Sequence, residues 1–292
     1  SVKGADGKKV KNRTFTTDIK TNLFESENMV MIYLNHPQAK CDNSSVKGII
    51  GLFNVLSSKF SMYMNFSSNT LSNIEEDEKN AIISKNGFQE LKCEFKNSLI
   101  YIFLEIENKE YKFMLDTGFT ANIIIPYSKK IKFDSNKFSK FEGSFFKSIS
   151  SVTKGSEIIY ADMPIKIGNT LINSNMNLSS TLKSQNIGIG FIKGFDWIID
   201  YKNKKLFYKK NKNKIETEIK YKNHLYSYAV NDKLLVALKN SITNSDFSIE
   251  DEIIAVNSKK VTRENICEMQ DLLNKTINWN TLNLDVIPAK TK

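Results

Sequence analysis

The chain has 292 residues, 40% of them hydrophobic and 11% aromatic, with a formal net charge of +10. That length allows two or three domains, and the composition is globular rather than disordered. The basic excess is scattered among asparagines, with no stripe of arginine interleaved with aromatics, which argues against a nucleic-acid partner. No apolar run approaches the roughly 18 residues that a membrane-spanning helix needs.

In chain order, Ser1-Val2-Lys3-Gly4 carries no signal-peptide pattern. The acidic stretch Glu75 to Asn80 is poor in large apolar residues and reads as a linker. Alternating apolar residues over Leu99 to Ile106 and Tyr111 to Leu115, with Asn108-Lys109 between them, predict a β-hairpin. Further strands are expected at Ile198 to Tyr201, Leu206 to Tyr208 and Leu234 to Leu238, with a second polar linker at Lys209 to Lys214. Helical periodicity is confined to Arg263 to Asn274, where Ile266, Met269 and Leu273 share one face. The fold class is therefore mostly β, in three parts: residues 1–74, 81–211 and 215–292.

The first two parts share an internal repeat. Ile49-Ile50-Gly51-Leu52-Phe53, Phe60 to Phe66 and Leu71 are echoed by Gly188-Ile189-Gly190-Phe191-Ile192, Phe195 to Tyr201 and Leu206. From each Phe to the matching Asn65 or Asp200, and on to each Leu, the spacing is the same. Thr17-Asp18-Ile19 and Ala161-Asp162-Met163 form a looser upstream pair.

Cys41, Cys93 and Cys267 suit neither a disulfide framework nor a zinc spacing, and leave open one pair with a free thiol. His36 and His224 have no Cys, Asp or Glu at ligand spacing, and no Ser or Cys sits in a nucleophile elbow, so neither a metal nor another cofactor is expected. Gly188-Ile189-Gly190 lacks a third glycine, and the run after it reads as strand, which excludes a phosphate loop. Carboxylate chemistry remains. Tyr111 to Leu115 leads into Asp116-Thr117-Gly118-Phe119-Thr120 and then Ile123-Ile124-Ile125-Pro126. Apolar runs on both sides predict a buried turn, and a buried carboxylate needs hydrogen bonds and a task.

Hydrophobic-Asp-Thr-Gly-x-Thr, followed by Ile189-Gly190 and by Ile199-Asp200-Tyr201, resembles the retropepsin-like and pepsin-like aspartic proteases over about Leu99 to Tyr208. The resemblance implies one partial lobe (1–74) and one complete lobe (81–211), with Asp116 as the catalytic acid/base. It makes Thr117, Gly118 and Thr120 the rest of the active-site loop. Ile50-Gly51 and Ile189-Gly190 become the structural motifs of the two lobes, and Lys147 to Tyr160 the substrate-covering hairpin. Phe119 departs from the family, which has a hydroxyl residue or alanine there, and cannot donate the hydrogen bond that tunes the carboxylate. That chemistry needs two carboxylates sharing a proton. The second is expected from an upstream half-lobe, which the internal repeat favours, or from an identical chain; residues 1–74 then read as the latter half of a lobe.

Residues 215–292 resemble a PDZ domain through Asp251-Glu252-Ile253-Ile254-Ala255-Val256-Asn257-Ser258, the helix, and a last strand at Leu282 to Ile287. Glu250 and Ser258 replace its two glycines, and Ser227 stands where a carboxylate-binding loop has glycine. Tyr228, Ala229, Leu234 and Ile266 are the peptide-binding residues this implies, in a groove between the strand near Leu234 and the helix. The expected function is an aspartic endopeptidase with an appended peptide-binding domain, acting on a peptide or protein outside the cytoplasm, in the periplasm or cell envelope. The alternative is a catalytically silent scaffold acting through its PDZ-like domain.

Overall fold

The computed structural model describes residues 2–3, 9–10, 13–32, 41, 51–128, 131, 133–147, 152–241 and 245–289. Ile49 and Ile50 of the first repeat lie outside them. The architecture is mostly β, and among the described residues no helix is long and apolar enough to cross a membrane.

Strands β1 (Val2–Lys3) and β2 (Lys9–Val10) pair with each other, as do β3 (Thr14–Lys20) and β4 (Glu25–Ile32). A turn of 3-10 helix at Leu52–Asn54 leads to the hairpin of β5 (Ser61–Asn65) and β6 (Thr70–Ile74). Next comes a correction. The acidic stretch expected to be a linker is the first turn of helix α1 (Glu76–Asn86). Glu76, Asp77 and Glu78 complement the positive N-terminal end of the helix dipole, and Gly87, at φ 71°, terminates it in the left-handed conformation. Half-buried Ile82 and Ile83 pack on Ile74, Phe88, Ile198 and Phe207. The sequence hid the helix because its remaining buried residue is Lys79, whose Nζ lies 2.6 Å from Asp200 Oδ2.

Nine strands build the central lobe: β7 (Gln89–Leu91), β8 (Cys93–Lys96), β9 (Leu99–Ile106), β10 (Lys109–Leu115), β11 (Ile123–Pro126), β12 (Phe138–Lys147), β13 (Val152–Ile167), β14 (Thr170–Ser179) and β15 (Asn186–Ile187). In β9 every second residue is buried, which places Ile100, Ile102, Leu104 and Ile106 in the core. The β9–β10 turn falls on Glu107-Asn108, one residue earlier than the sequence reading, with both residues at positive φ as a two-residue hairpin favours. Pairing runs β13-β14-β11-β15-β10-β9, and β9 returns to β13 through Ile106↔Ile165 and Leu104↔Ile167. The sheet thus closes into a ring of six strands around an aliphatic core.

Helix α2 (Ile189–Ile192) corrects the strand-like reading of the run after Gly188. It leads to β16 (Phe195–Asp200) and β17 (Lys205–Lys210). These join the first repeat in a five-stranded sheet ordered β6-β5-β16-β17-β7. The registers carry a pseudo-two-fold. Ser61↔Ile74 and Asn65↔Thr70 in one hairpin correspond to Asp196↔Lys209 and Asp200↔Lys205 in the other. Tyr63 and Ile198, equivalent in the repeat, pair with each other, so the local axis passes between them. Asp18 and Asp162, the looser upstream pair, both sit at register shifts, in β3 and β13 respectively. Gly51 and Gly188 are the N-caps of the short helices that precede the two hairpins.

The second stretch read as a linker is laced onto the lobe. Asn213 Nδ2 donates to Phe66 O at 2.9 Å, Asn211 Nδ2 donates to Lys193 O at 3.0 Å, and Ile215 is buried in the lobe core. The C-terminal module follows with β18 (Leu225–Val230), β19 (Lys233–Asn240), β20 (Glu252–Val256), β21 (Lys259–Lys260), α3 (Ile266–Lys275) and β22 (Leu284–Ile287). Helix α3 starts at Ile266 rather than Arg263, because the Asn265 side chain closes a turn onto Thr262 N. Ile266, Met269 and Leu273 join Leu225, Ala229, Leu234, Val236, Ile253, Val256 and Trp279 in a separate core. A disulfide joins Cys41 to Cys267, and Cys93 is a free thiol.

Candidate functional site

Strand β15 lies between β10 and β11, parallel to the first and antiparallel to the second. The loop joining β10 to β11 therefore projects past the end of β15, with Asp116 at its start. Asp116 N donates to Ile187 O at 2.9 Å, and Ile189 N donates to Phe119 O at 2.7 Å, which fixes the loop against the β15–α2 junction. Side chains at 188 and 190 would prevent this crossing. A Cβ on Gly188 would sit 2.2 Å from Ala121 O and 2.3 Å from Phe119 O, and one on Gly190 would sit 2.1 Å from Asn122 Oδ1. Gly190 is buried and Ile189 half-buried; their place in the site is as packing behind the loop.

Both carboxylate oxygens of Asp116 are engaged. Gly118 N donates to Oδ1 at 3.0 Å, and Asn186 Nδ2 donates to Oδ2 at 3.2 Å. Burial pushes the Asp116 carboxyl above its ordinary value, while the Gly118 amide, the Asn186 side chain and the Phe119 amide pull it back in part. A side-chain donor that Phe119 cannot supply is thus present on Asn186. Nothing in the motif points to Asn186; its only sequence signal is its place two residues before Gly188. It is buried, and its Oδ1 has no hydrogen-bond partner.

The buried turn expected from the flanking apolar runs is not what folds. Asp116 is half-buried, and Thr117, Gly118 and Thr120 are exposed. Burial stops at the strand ends because β10, β11 and β15 fill the ring while the loop lies beyond it. None of the hydrogen-bonding partners of Asp116 is an acid. A surface recess of about 290 Å³ lies elsewhere, lined by Met64, Asn65, Phe66, Asn69, Thr70 and Leu71, with no titratable group. Among the described residues no cluster of His, Cys, Asp and Glu is placed to hold a metal.

The substrate-covering hairpin implied at Lys147 to Tyr160 falls on β12 and β13, whose arms pair from Phe138↔Tyr160 to Lys147↔Val152; residues 148–151 lie outside the described residues. Its β13 arm is held to the lobe, since Ser156 N donates to Ser180 Oγ at 2.8 Å and Ser180 N to Ser156 O at 3.0 Å. The next residue, Glu157, is almost fully buried. Its Oε2 accepts from Asn177 Nδ2 at 2.7 Å, and its Oε1 has no partner. Burial pushes its carboxyl up to about 7, against the pull of Ser179, Asn177 and Thr181.

In the C-terminal module, Ala229, Leu234 and Ile266 are fully buried in the core, and only Tyr228 is partly exposed. The expectation that these four line an open groove is corrected. The strand beside α3 is β18, not the β19 strand near Leu234, and its outer edge is already satisfied. Ser227 N donates to Asn274 Oδ1 at 2.8 Å, Ala229 N donates to Gln270 Oε1 at 2.6 Å, and Asn274 Nδ2 donates to Ser227 O at 3.1 Å. No family model matches the chain, and no curated protein matches it.

Proposed function

We propose that the chain is the Asp116-bearing part of an aspartic endopeptidase. The observation that carries this reading is the strand β15 threaded between β10 and β11 behind the Asp-Thr-Gly loop: Asn186 of β15 and the loop's own Gly118 amide each donate a hydrogen bond to the Asp116 carboxylate, and the loop is left exposed. In the reaction, Asp116 and a second carboxylate share one proton. The ionised member takes a proton from water, the water oxygen bonds to the scissile carbonyl carbon, and the protonated member donates to the carbonyl oxygen. Collapse of the resulting adduct breaks the C–N bond and passes a proton to the leaving amine.

The second carboxylate comes from a loop equivalent to residues 116–120, brought to face Asp116. The matched registers about Tyr63 and Ile198 favour a first half-lobe in the same polypeptide over a second copy of the chain. Exposed Thr117 is then free to bond across to that loop. The C-terminal module is proposed to be PDZ-like, with its peptide edge closed in this conformation, which weighs against the silent-scaffold reading. An extracytoplasmic location is compatible with the Cys41–Cys267 disulfide.

The test is inhibition of peptide hydrolysis by the natural polypeptide. Peptide mimics with a hydroxyl in place of the scissile carbonyl should block it, because they place that hydroxyl between the two carboxylates. Chelators and thiol reagents should not. Hydrolysis indifferent to the hydroxyl mimics but abolished by a chelator would overturn the reading.

A further inference from the structure

The β12–β13 hairpin does not stand free over the lobe. Strand β12 is hydrogen-bonded to β19 of the C-terminal module, with Phe141↔Asn240, Glu142↔Lys239 and Gly143↔Leu238 in antiparallel register, and Ser241 N donates to Lys140 O at 2.8 Å. This junction makes one 13-stranded sheet of the ring and the module. The same edge of β19 carries β20 further along, through Leu234↔Ile253 and Leu235↔Glu252, with Val236 bridging to Asp251 O and Glu250 N in between. Its other edge carries β18, whose outer side is closed by Gln270 and Asn274. Every edge of the β18–β19 pair is therefore engaged from within the chain.

Three further contacts surround the crossing. Gly143 stands at φ +128°, and a Cβ there would lie 1.9 Å from Ala237 O, so only glycine lets the two backbones approach so closely. The Phe141 ring packs on Tyr221, with centroids 5.4 Å apart, and Tyr221 packs edge-on against Tyr226. Lys154 on the β13 arm forms an ion pair with Glu250, in the loop before β20.

We infer that the C-terminal module is an intramolecular clamp on the β12–β13 hairpin: β19 takes β12 as its added strand in place of an external peptide, and so fixes where the hairpin stands relative to the Asp116 loop. Displacing the hairpin then requires unzipping β12 from β19 or moving the module with it. That the hairpin covers substrate rests on the endopeptidase reading; the β12–β19 clamp itself does not.

The experiment is backbone hydrogen exchange on the whole chain, so that catalysis plays no part in the readout. In Gly143→Val, amides of the junction, within Phe141 to Gly143 and Leu238 to Ser241, should exchange about tenfold faster or more, with β9, β10 and α3 unchanged, since local opening draws on local contacts. A second variant keeps the clamp testable should the first fold poorly. Glu142→Cys with Lys239→Cys, in a Cys93→Ser background, should close a disulfide on oxidation and slow exchange along β12 relative to the reduced form. A pair that does not bridge, or hairpin exchange that is the same with the bridge open and closed, overturns the clamp and leaves the endopeptidase reading standing. Retained hydrolysis after loss of Asp116 would remove that reading and leave the clamp to be decided by exchange alone.

Discussion

Replacing Glu157 by Gln should abolish a pH dependence of stability that the wild-type chain shows between about pH 4.5 and pH 7. The carboxyl is nearly fully buried, with one oxygen on Asn177 Nδ2 and the other unpartnered, and burial raises it from 4.5 to about 7. Its neighbours are the Ser179 and Thr181 hydroxyls and the Tyr221 phenol, itself pushed up to about 12 and so uncharged throughout this window. A raised folded value means that the folded state binds more protons than the unfolded one across the window. Folding stability must therefore fall as pH rises through it. At 1.36 kcal/mol per unit the loss is about 3 kcal/mol, complete above about pH 8. Gln keeps an acceptor for Asn177 and cannot ionise. Urea unfolding of both proteins at pH 5, 6, 7 and 8 measures the difference; Asp116, also raised, and Asp200, lowered, contribute equally to both and cancel. Curves that run parallel for wild type and variant would refute the assignment of that slope to Glu157.

Other outcomes follow from the same reasoning. Lys79→Met should cost about 3–5 kcal/mol at pH 7, since Asp200, 2% exposed, would keep only its bonds from Asn203. Against burial, which raises it, Lys79 and Asn203 hold Asp200 below its ordinary value in the wild type, so the deficit in urea unfolding should shrink as pH falls and the unpaired acid protonates; a deficit constant down to pH 3 would argue against the ion pair. Gln270→Ala with Asn274→Ala should strand the Ser227 and Ala229 amides at about 1–3 kcal/mol each and speed their hydrogen exchange. Unchanged exchange at those two amides would show that α3 does not close the β18 edge.

The sequence was informative where burial is local and periodic. Alternation over Leu99 to Ile106 and the wholly buried run of β16 locate strands, and Ile266, Met269 and Leu273 locate α3, because each pattern reflects a single core face. Helix α1 was opaque for a physical reason. It is held by two isoleucines, a buried Lys79 and favourable end charges, so it has no apolar stripe to read. Flanking hydrophobicity reports the burial of strands, not of the loop between them, so it does not reveal the exposure of the turn at Asp116. Contacts distant in sequence were invisible: Asn186 reaching Asp116, the return of β9 to β13, and β12 on β19 all depend on chain reversals that no local window contains. The repeat is legible from spacing alone, but its two-fold pairing at Tyr63 and Ile198 arises only in the folded sheet.

The central claim rests on one carboxylate, and peptide hydrolysis by the natural polypeptide carrying Asp116→Asn tests it most directly. Asn is nearly isosteric and can keep the Gly118 N–H bond, so the fold and its urea midpoint should change little. Hydrolysis should fall to background, since an amide can neither take the proton from water nor share one with a second acid. Undiminished hydrolysis by a correctly folded Asp116→Asn protein would contradict the account.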